Sequence, residues 1–209
     1  MSDPTPYEPE GPECEWKERL PRPERVAKTL AAFANGCGGS LWVGVRDSGE
    51  AVGVGDPHLV ELTLRIVAEE LVRPFPGLEF RRHSWRGRTL IELRVEASEP
   101  RPFAALTQEG ELRVYVRDGS STRPAAPHTV RALERGPVRR AAPVLDPRAL
   151  RLLRILAERR EPTLSELARL ARMGRRAARR LVVPLLQSGL IAENDRHRLW
   201  LTPLGHRSA

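Results

Sequence analysis

The chain has little cysteine, almost no lysine and no long apolar run, and each shortage narrows what it can be. Cys14 and Cys37 are its two cysteines in 209 residues. A secreted fold stapled by disulfides needs more of them. Two cysteines with no nearby histidine pair do not build a structural zinc site either. Both read as small, reduced core side chains. No apolar stretch approaches the roughly 18 residues of a membrane helix, so no membrane partner is expected. The start, MSDPTPYEPEGPE, is acidic and Pro-rich. It lacks the basic and apolar regions of a secretory signal, so a cytoplasmic location is expected. Lysine occurs as Lys17 and Lys28 alone among 35 basic residues. Arginine suits bidentate phosphate contacts, but a GC-rich genome gives the same bias. The position of the charge therefore carries the argument.

That position is uneven. Residues 146–209 hold 14 Arg against 6 Asp/Glu, whereas residues 1–145 hold 21 basic and 21 acidic residues. The whole formal net charge of +8 thus sits in the tail. A basic tail beside a neutral body is built to meet a polyanion, here DNA or RNA. The hydrophobic fraction of 40% fits a globular chain with one ordinary domain and one small one.

Periodicity divides the chain further. Residues 13–17 alternate, with Glu13, Glu15 and Lys17 on one face and Cys14 and Trp16 on the other, as in a short strand. Pro21 and Pro23 lead into a helix over 23–35 through Val26, Leu30, Phe33 and Ala34. Asn35-Gly36 ends it, and Gly38-Gly39 links into a strand at 40–46. Asp47-Ser48-Gly49 then turns the chain into a second strand at 51–55. Asp56 caps a helix that runs to about Val72 along Leu59, Leu62, Ile66 and Leu71. Strands are expected at 78–85, 88–95, 102–106 and 111–117, with Trp42 and Trp85 in the core, and a short helix at 127–135. Residues 10–135 read as an α+β domain with a mixed sheet, and 136–145 as a linker.

The tail, 146–209, reads as three helices and a hairpin. Asp146 caps a helix over 147–159, with Leu150, Leu153 and Leu156 inward. Thr163 and Glu166 make a capping box before a helix over 164–172. Met173-Gly174 turns into a third helix with Ala178, Leu181, Val182, Leu185 and Leu186 on its apolar face. Two strands follow around Glu193–Arg198. This is the winged helix-turn-helix layout, mainly helical and small. Its third helix carries Arg175, Arg176, Arg179 and Arg180 opposite the apolar stripe, in two like-charged i,i+4 pairs that repel unless an anion lies outside. Arg172 extends this patch, and Arg196 and Arg198 sit at the wing. The bland alternative is a solvated basic face on a dimerisation or protein-docking module. Pro184 should kink the third helix. With no Asn or Gln beside the arginines, base readout beyond guanine is poor.

Three blocks in the body occur in a telling order. They are Glu10 with Glu15-Trp16-Lys17, then Ala32-Phe33-Ala34-Asn35 with Gly38-Gly39 and Val43-Gly44-Val45-Arg46-Asp47, then Tyr115-Val116-Arg117-Asp118-Gly119-Ser120-Ser121. Together they resemble the Schlafen-type AlbA domain over about residues 10–135. Bacterial members often carry a winged helix-turn-helix behind it and are labelled DNA-binding, regulatory or ATP-binding. The resemblance implies a DNA-binding transcriptional regulator or stress-linked factor. It also implies an alternative, because some Schlafens are metal-dependent endoribonucleases that cut tRNA and rRNA. Those enzymes use two glutamates and an aspartate at the positions matching Glu10, Glu15 and Asp47, which would hold Mg²⁺ or Mn²⁺ to activate water. The plainer reading pairs Glu15 with Lys17 across a sheet face and makes Asp47 a turn residue. The animal nucleases have two lobes and a zinc site. This sequence has one lobe, which a homodimer would double, and no zinc ligands. Lys17, Arg117, Ser120 and Ser121 are candidates for a nucleic-acid backbone. Gly36, Gly38 and Gly39 lack the Lys-Ser/Thr of a P-loop, so close backbone packing is expected of them rather than ATP binding.

Overall fold

The structure, a computed structural model, describes residues 7–135, 145–158, 161–194 and 196–202. The chain divides into two compact units, Met1–Pro124 and Ala125–Ala209. The linker expected over 136–145 lies outside the described residues except for Leu145.

The first unit holds β1 (Cys14–Lys17), α1 (Pro23–Asn35), β2 (Gly38–Val43), α2 (Pro57–Leu71), β3 (Val72–Arg73), β4 (Leu78–Trp85), β5 (Arg88–Glu96), β6 (Ala104–Leu106), β7 (Leu112–Asp118) and β8 (Ser121–Pro124). One sheet has the order β1-β2-β5-β4 and is mixed, since β1 runs parallel to β2 while β2, β5 and β4 are antiparallel. The second sheet, β3-β6-β7-β8, is antiparallel.

α1 lies at the centre and packs against α2 and strands of both sheets. Its sequence permits this because Leu30 and Phe33 alternate with Ala27, Ala31, Ala32 and Ala34, all fully buried. Small residues on several faces let elements approach from more than one side. Gly39 answers the same crowding, for a Cβ there would stand 2.5 Å from the Phe33 ring. Gly38 has φ +90°, and a Cβ there would stand 2.8 Å from the Val95 carbonyl. Gly38 and Gly39 thus serve the close backbone packing expected of them, whereas a Cβ at Gly36 would meet only ordinary contacts, the nearest the Ala32 carbonyl at 3.4 Å. Asn35 closes the helix inward. Its Nδ2 donates to the Phe103 and Tyr115 carbonyls, each at 2.8 Å, and its Oδ1 accepts from the Phe103 N–H at 2.7 Å.

Three expectations change. Cys14 is buried, but Cys37 is exposed, because it falls in the turn between α1 and β2 rather than on either element. α2 presents Leu59, Leu62 and Ile66 to solvent, each 46–56% exposed. Its inner face is Leu64, Val67 and Ala68, with Val60 and Leu71 packed beside them. The helix carries two apolar stripes. The buried one runs across more turns and includes the small Ala68, which admits close packing. Residues 51–55 do not form a strand, and the turn is closed by a single bridge between Val45 and Ala51. Gly53, at φ +77°, bends away so that Val54 bonds to Thr89 instead.

The second unit holds α3 (Pro127–Glu134), α4 (Pro147–Glu158), α5 (Leu164–Leu170), α6 (Arg175–Gln187), β9 (Ile191–Glu193) and β10 (Leu199–Leu201). The sequence placed α3 at the end of the first domain, but it packs against α6. Leu152, Leu153, Leu156, Leu167, Val182, Leu185, Ile191 and Leu199 fill the core. Leu152 takes the fully buried place expected of Leu150, which is half-buried. The capping box forms as expected, with Thr163 Oγ1 accepting from Glu166 N–H and Glu166 Oε2 accepting from Thr163 N–H. α6 runs through Pro184 to Gln187. The proline falls in the last turns, so the helix before it keeps its ladder. The whole is α+β, with mixed-sheet and winged-helix parts. Among the described residues no helix is long and apolar enough to cross a membrane.

Candidate nucleic-acid interface

In the second unit α5 and α6 meet through the turn Ala171–Gly174, and β9 and β10 form the wing. Arg175, Arg176 and Arg180 stand exposed on α6, and no ion pair among the described residues engages them. Arg179 differs. It is half-buried, and its Nε lies out of solvent with no hydrogen-bond partner. Val183, one turn beyond, is buried as well. With α3 packed against it, α6 is covered on more of its circumference than one apolar stripe requires, which takes Arg179 from the outer face. Arg172 is exposed and left-handed, at φ +52°.

The wing is braced. Asn194 Oδ1 accepts from the N–H groups of Arg196 and Arg198, at 3.1 and 3.0 Å. The Arg198 side chain donates to the Glu161 carbonyl at 2.8 Å and lies 3.6 Å from Glu166. It straps the wing to the start of α5, whereas Arg196 projects into solvent. At the wing's base, the buried Glu193 carboxylate meets His128 at 3.1 Å, His197 at 3.2 Å and the Thr129 hydroxyl. Sequence reasoning missed this cluster, because nothing local joins α3 to the wing.

In the first unit, alternation along β1 sets Glu15 and Lys17 on one face. Lys17 Nζ lies 2.7 Å from Glu15 Oε1 and 3.9 Å from Glu10. Glu15 Oε2 accepts from Arg117 at 2.8 Å. Arg117 also donates to Thr122 Oγ1 at 3.0 Å and to the Gly11 carbonyl at 2.6 Å, and lies over the Phe33 ring. Its side chain is 5% exposed. The expected backbone-binding role of Arg117 is therefore corrected: the guanidinium is spent inside the fold. Ser120 and Ser121 are exposed around the β7–β8 turn, where Gly119 is left-handed. Glu10 Oε1 accepts from the Trp16 N–H at 2.9 Å. Asp47 is exposed in the Arg46–Glu50 turn.

The family model described as Schlafen, AlbA_2 matches residues 10–126, over half the chain. The chain belongs to the Schlafen AlbA_2 family. Behind the AlbA_2 domain, a model of the IclR helix-turn-helix domain matches residues 147–195. Among solved structures, the DIP2311 protein from Corynebacterium diphtheriae is similar at 22% identity and TM-score 0.44, over 70% of this chain and 30% of that one. The N-terminal domain of a RecG-related protein from Nitrosomonas europaea is similar at 24% identity and TM-score 0.38, over 55% and 82%. Comparison with curated proteins finds no match. The chain thus joins an AlbA_2 domain to a helix-turn-helix domain.

The metal that nuclease members imply does not fit these residues. Both oxygens of Glu15 are held by internal cations, Glu10 caps a backbone N–H, and among the described residues no three His, Cys, Asp or Glu side chains form a group able to hold a metal ion.

Proposed function

We propose that this AlbA_2 protein is a DNA-binding transcriptional regulator whose α6 enters the major groove. The observation that carries the reading is the exposed, uncompensated trio Arg175, Arg176 and Arg180 on the second helix of a helix-turn-helix. In this geometry that helix meets base edges, and arginine pairs with guanine O6 and N7. Arg196 projects from the wing, where a duplex backbone would pass. The alternative, a metal-dependent ribonuclease, has against it the commitment of Glu15 to Lys17 and Arg117.

The test is a gel shift on duplex DNA with the full chain and with Arg175, Arg176 and Arg180 changed to Ala. Binding by the native chain should weaken with salt and be lost in the triple variant. Unchanged affinity of the variant at low salt would refute the role of α6. Incubation with tRNA and Mn²⁺ addresses the ribonuclease, and cleavage abolished by both Glu15→Ala and Asp47→Ala would reinstate it.

A further inference from the structure

A second group of arginines gathers beside α6, three of its four members outside the helix that reads bases. Arg148 and Arg151 of α4, Arg172 of the α5–α6 turn and Arg180 of α6 line a cleft of about 450 Å³. All four are exposed, and no carboxylate of the described residues pairs with any of them. The acid on the rim, Asp146, turns an oxygen to the Ala149 N–H at 2.7 Å and caps α4. The floor is apolar, made by Ala171, Met173, Ala177 and Leu181.

Four like charges around one cleft repel, and the lining sets a single carboxylate, Asp146, against them. Arg172 adds an independent sign. It holds a left-handed backbone, where glycine is cheaper and a side chain costs roughly 1 kcal/mol. Its side chain lines the same cleft as Arg148, Arg151 and Arg180. A guanidinium rim over a small apolar floor matches a sugar-phosphate chain, with phosphate oxygens at the rim and the sugar on Met173 and Leu181.

We propose that this α4–α6 cleft seats the phosphate backbone of duplex DNA beside the groove that α6 enters, with Arg148 and Arg151 binding phosphates. The proposal rests on the DNA-binding reading above. Arg172 and Arg180 belong to both surfaces, so the backbone seat and the reading helix share one rigid edge. Anchoring by α4 would set how deeply α6 enters the groove without adding sequence preference.

The experiment uses the full chain and a fluorescent duplex, with affinity measured across a salt series. Arg148→Gln/Arg151→Gln should weaken binding to every duplex sequence alike. It should also make the slope of log affinity against log salt shallower by about 2, near 1 for each phosphate no longer neutralised. Arg148→Lys/Arg151→Lys should recover most of that slope. A slope unchanged in the Gln variant, while Arg175→Ala/Arg176→Ala still lowers it, overturns the cleft and leaves the DNA reading standing. Failure of the native chain to bind any duplex overturns both. A thermal upshift by millimolar inorganic phosphate in the native chain, absent from the Gln variant, together with a salt slope unchanged in that variant, would make a free anion the occupant and overturn the DNA seat. Circular dichroism of the variants, expected to match the native chain, shows that the exposed substitutions leave the fold intact.

Discussion

Asn35 offers the sharpest test of how the first unit is held together. Its side chain is buried and makes three hydrogen bonds to the main chain, two donated to the carbonyls of Phe103 and Tyr115 and one accepted from Phe103 N–H. Those partners lie 68 and 80 residues away, so one amide ties the end of α1 to the second sheet. Asn35→Ala leaves two carbonyls and one N–H buried without a partner. Each unsatisfied group costs about 1–3 kcal/mol, some recovered by relaxation or an entering water. The expected destabilisation is about 3–5 kcal/mol. Asn35→Asp keeps the acceptor for Phe103 N–H but turns an oxygen, charged at neutral pH, toward two carbonyls, so it should be at least as damaging. Urea unfolding followed by tryptophan emission is a suitable assay in a Trp200→Phe background, because the remaining Trp16, Trp42 and Trp85 all lie in the first unit. The second unit, followed by helical circular dichroism, should keep its own midpoint. A destabilisation below about 1 kcal/mol for Asn35→Ala would refute the claim that this amide joins helix to sheet.

Two further predictions follow from the charged and sulfur groups. Arg117→Met should cost about 2–4 kcal/mol, because Glu15 keeps Lys17 but loses its buried partner. The double variant with Glu15→Gln should recover part of this, and strict additivity in a double-mutant cycle would show the two side chains uncoupled. Burial pushes the Cys14 thiol up from its ordinary 9.0 to about 11, with Glu8, Glu10 and Glu15 adding to it. Iodoacetamide at pH 8 should therefore label the exposed Cys37 and spare Cys14 until the protein unfolds. The folded thiol has the higher pKa, so its contribution to stability is full below about pH 9 and falls as pH rises toward 11. Equal labelling of both thiols in the folded protein would contradict the burial.

What the sequence made readable was mostly local. The Thr163–Glu166 box and the bounds of α1 depend on residues a few places apart, and both formed where expected. What it hid was the destination of side chains that reach across the fold. Nothing near Arg117 tells that Glu15, 102 residues earlier, takes its charge. Nothing in α2 tells which of two apolar stripes turns inward, since that is settled by the fit of Leu64 and Ala68 against α1. Arg179 is a similar case. Its neighbours in sequence place it with Arg175, and the packing of α3 draws it partly in.

The enclosed alanines of α1 bear on how far chains of this kind can diverge. At Ala27, Ala31, Ala32 and Ala34 a larger residue would force surrounding elements apart, costing about 1–3 kcal/mol, and glycine would cost the helix about 1 kcal/mol. Substitution is penalised in both directions of size, so these positions are held still by volume alone. The Ala32-Phe33-Ala34-Asn35 block is therefore a steric requirement of the scaffold rather than a part of its chemistry. Drift is free to work on the solvent side, where an arginine added or removed changes what the protein meets without disturbing how it folds.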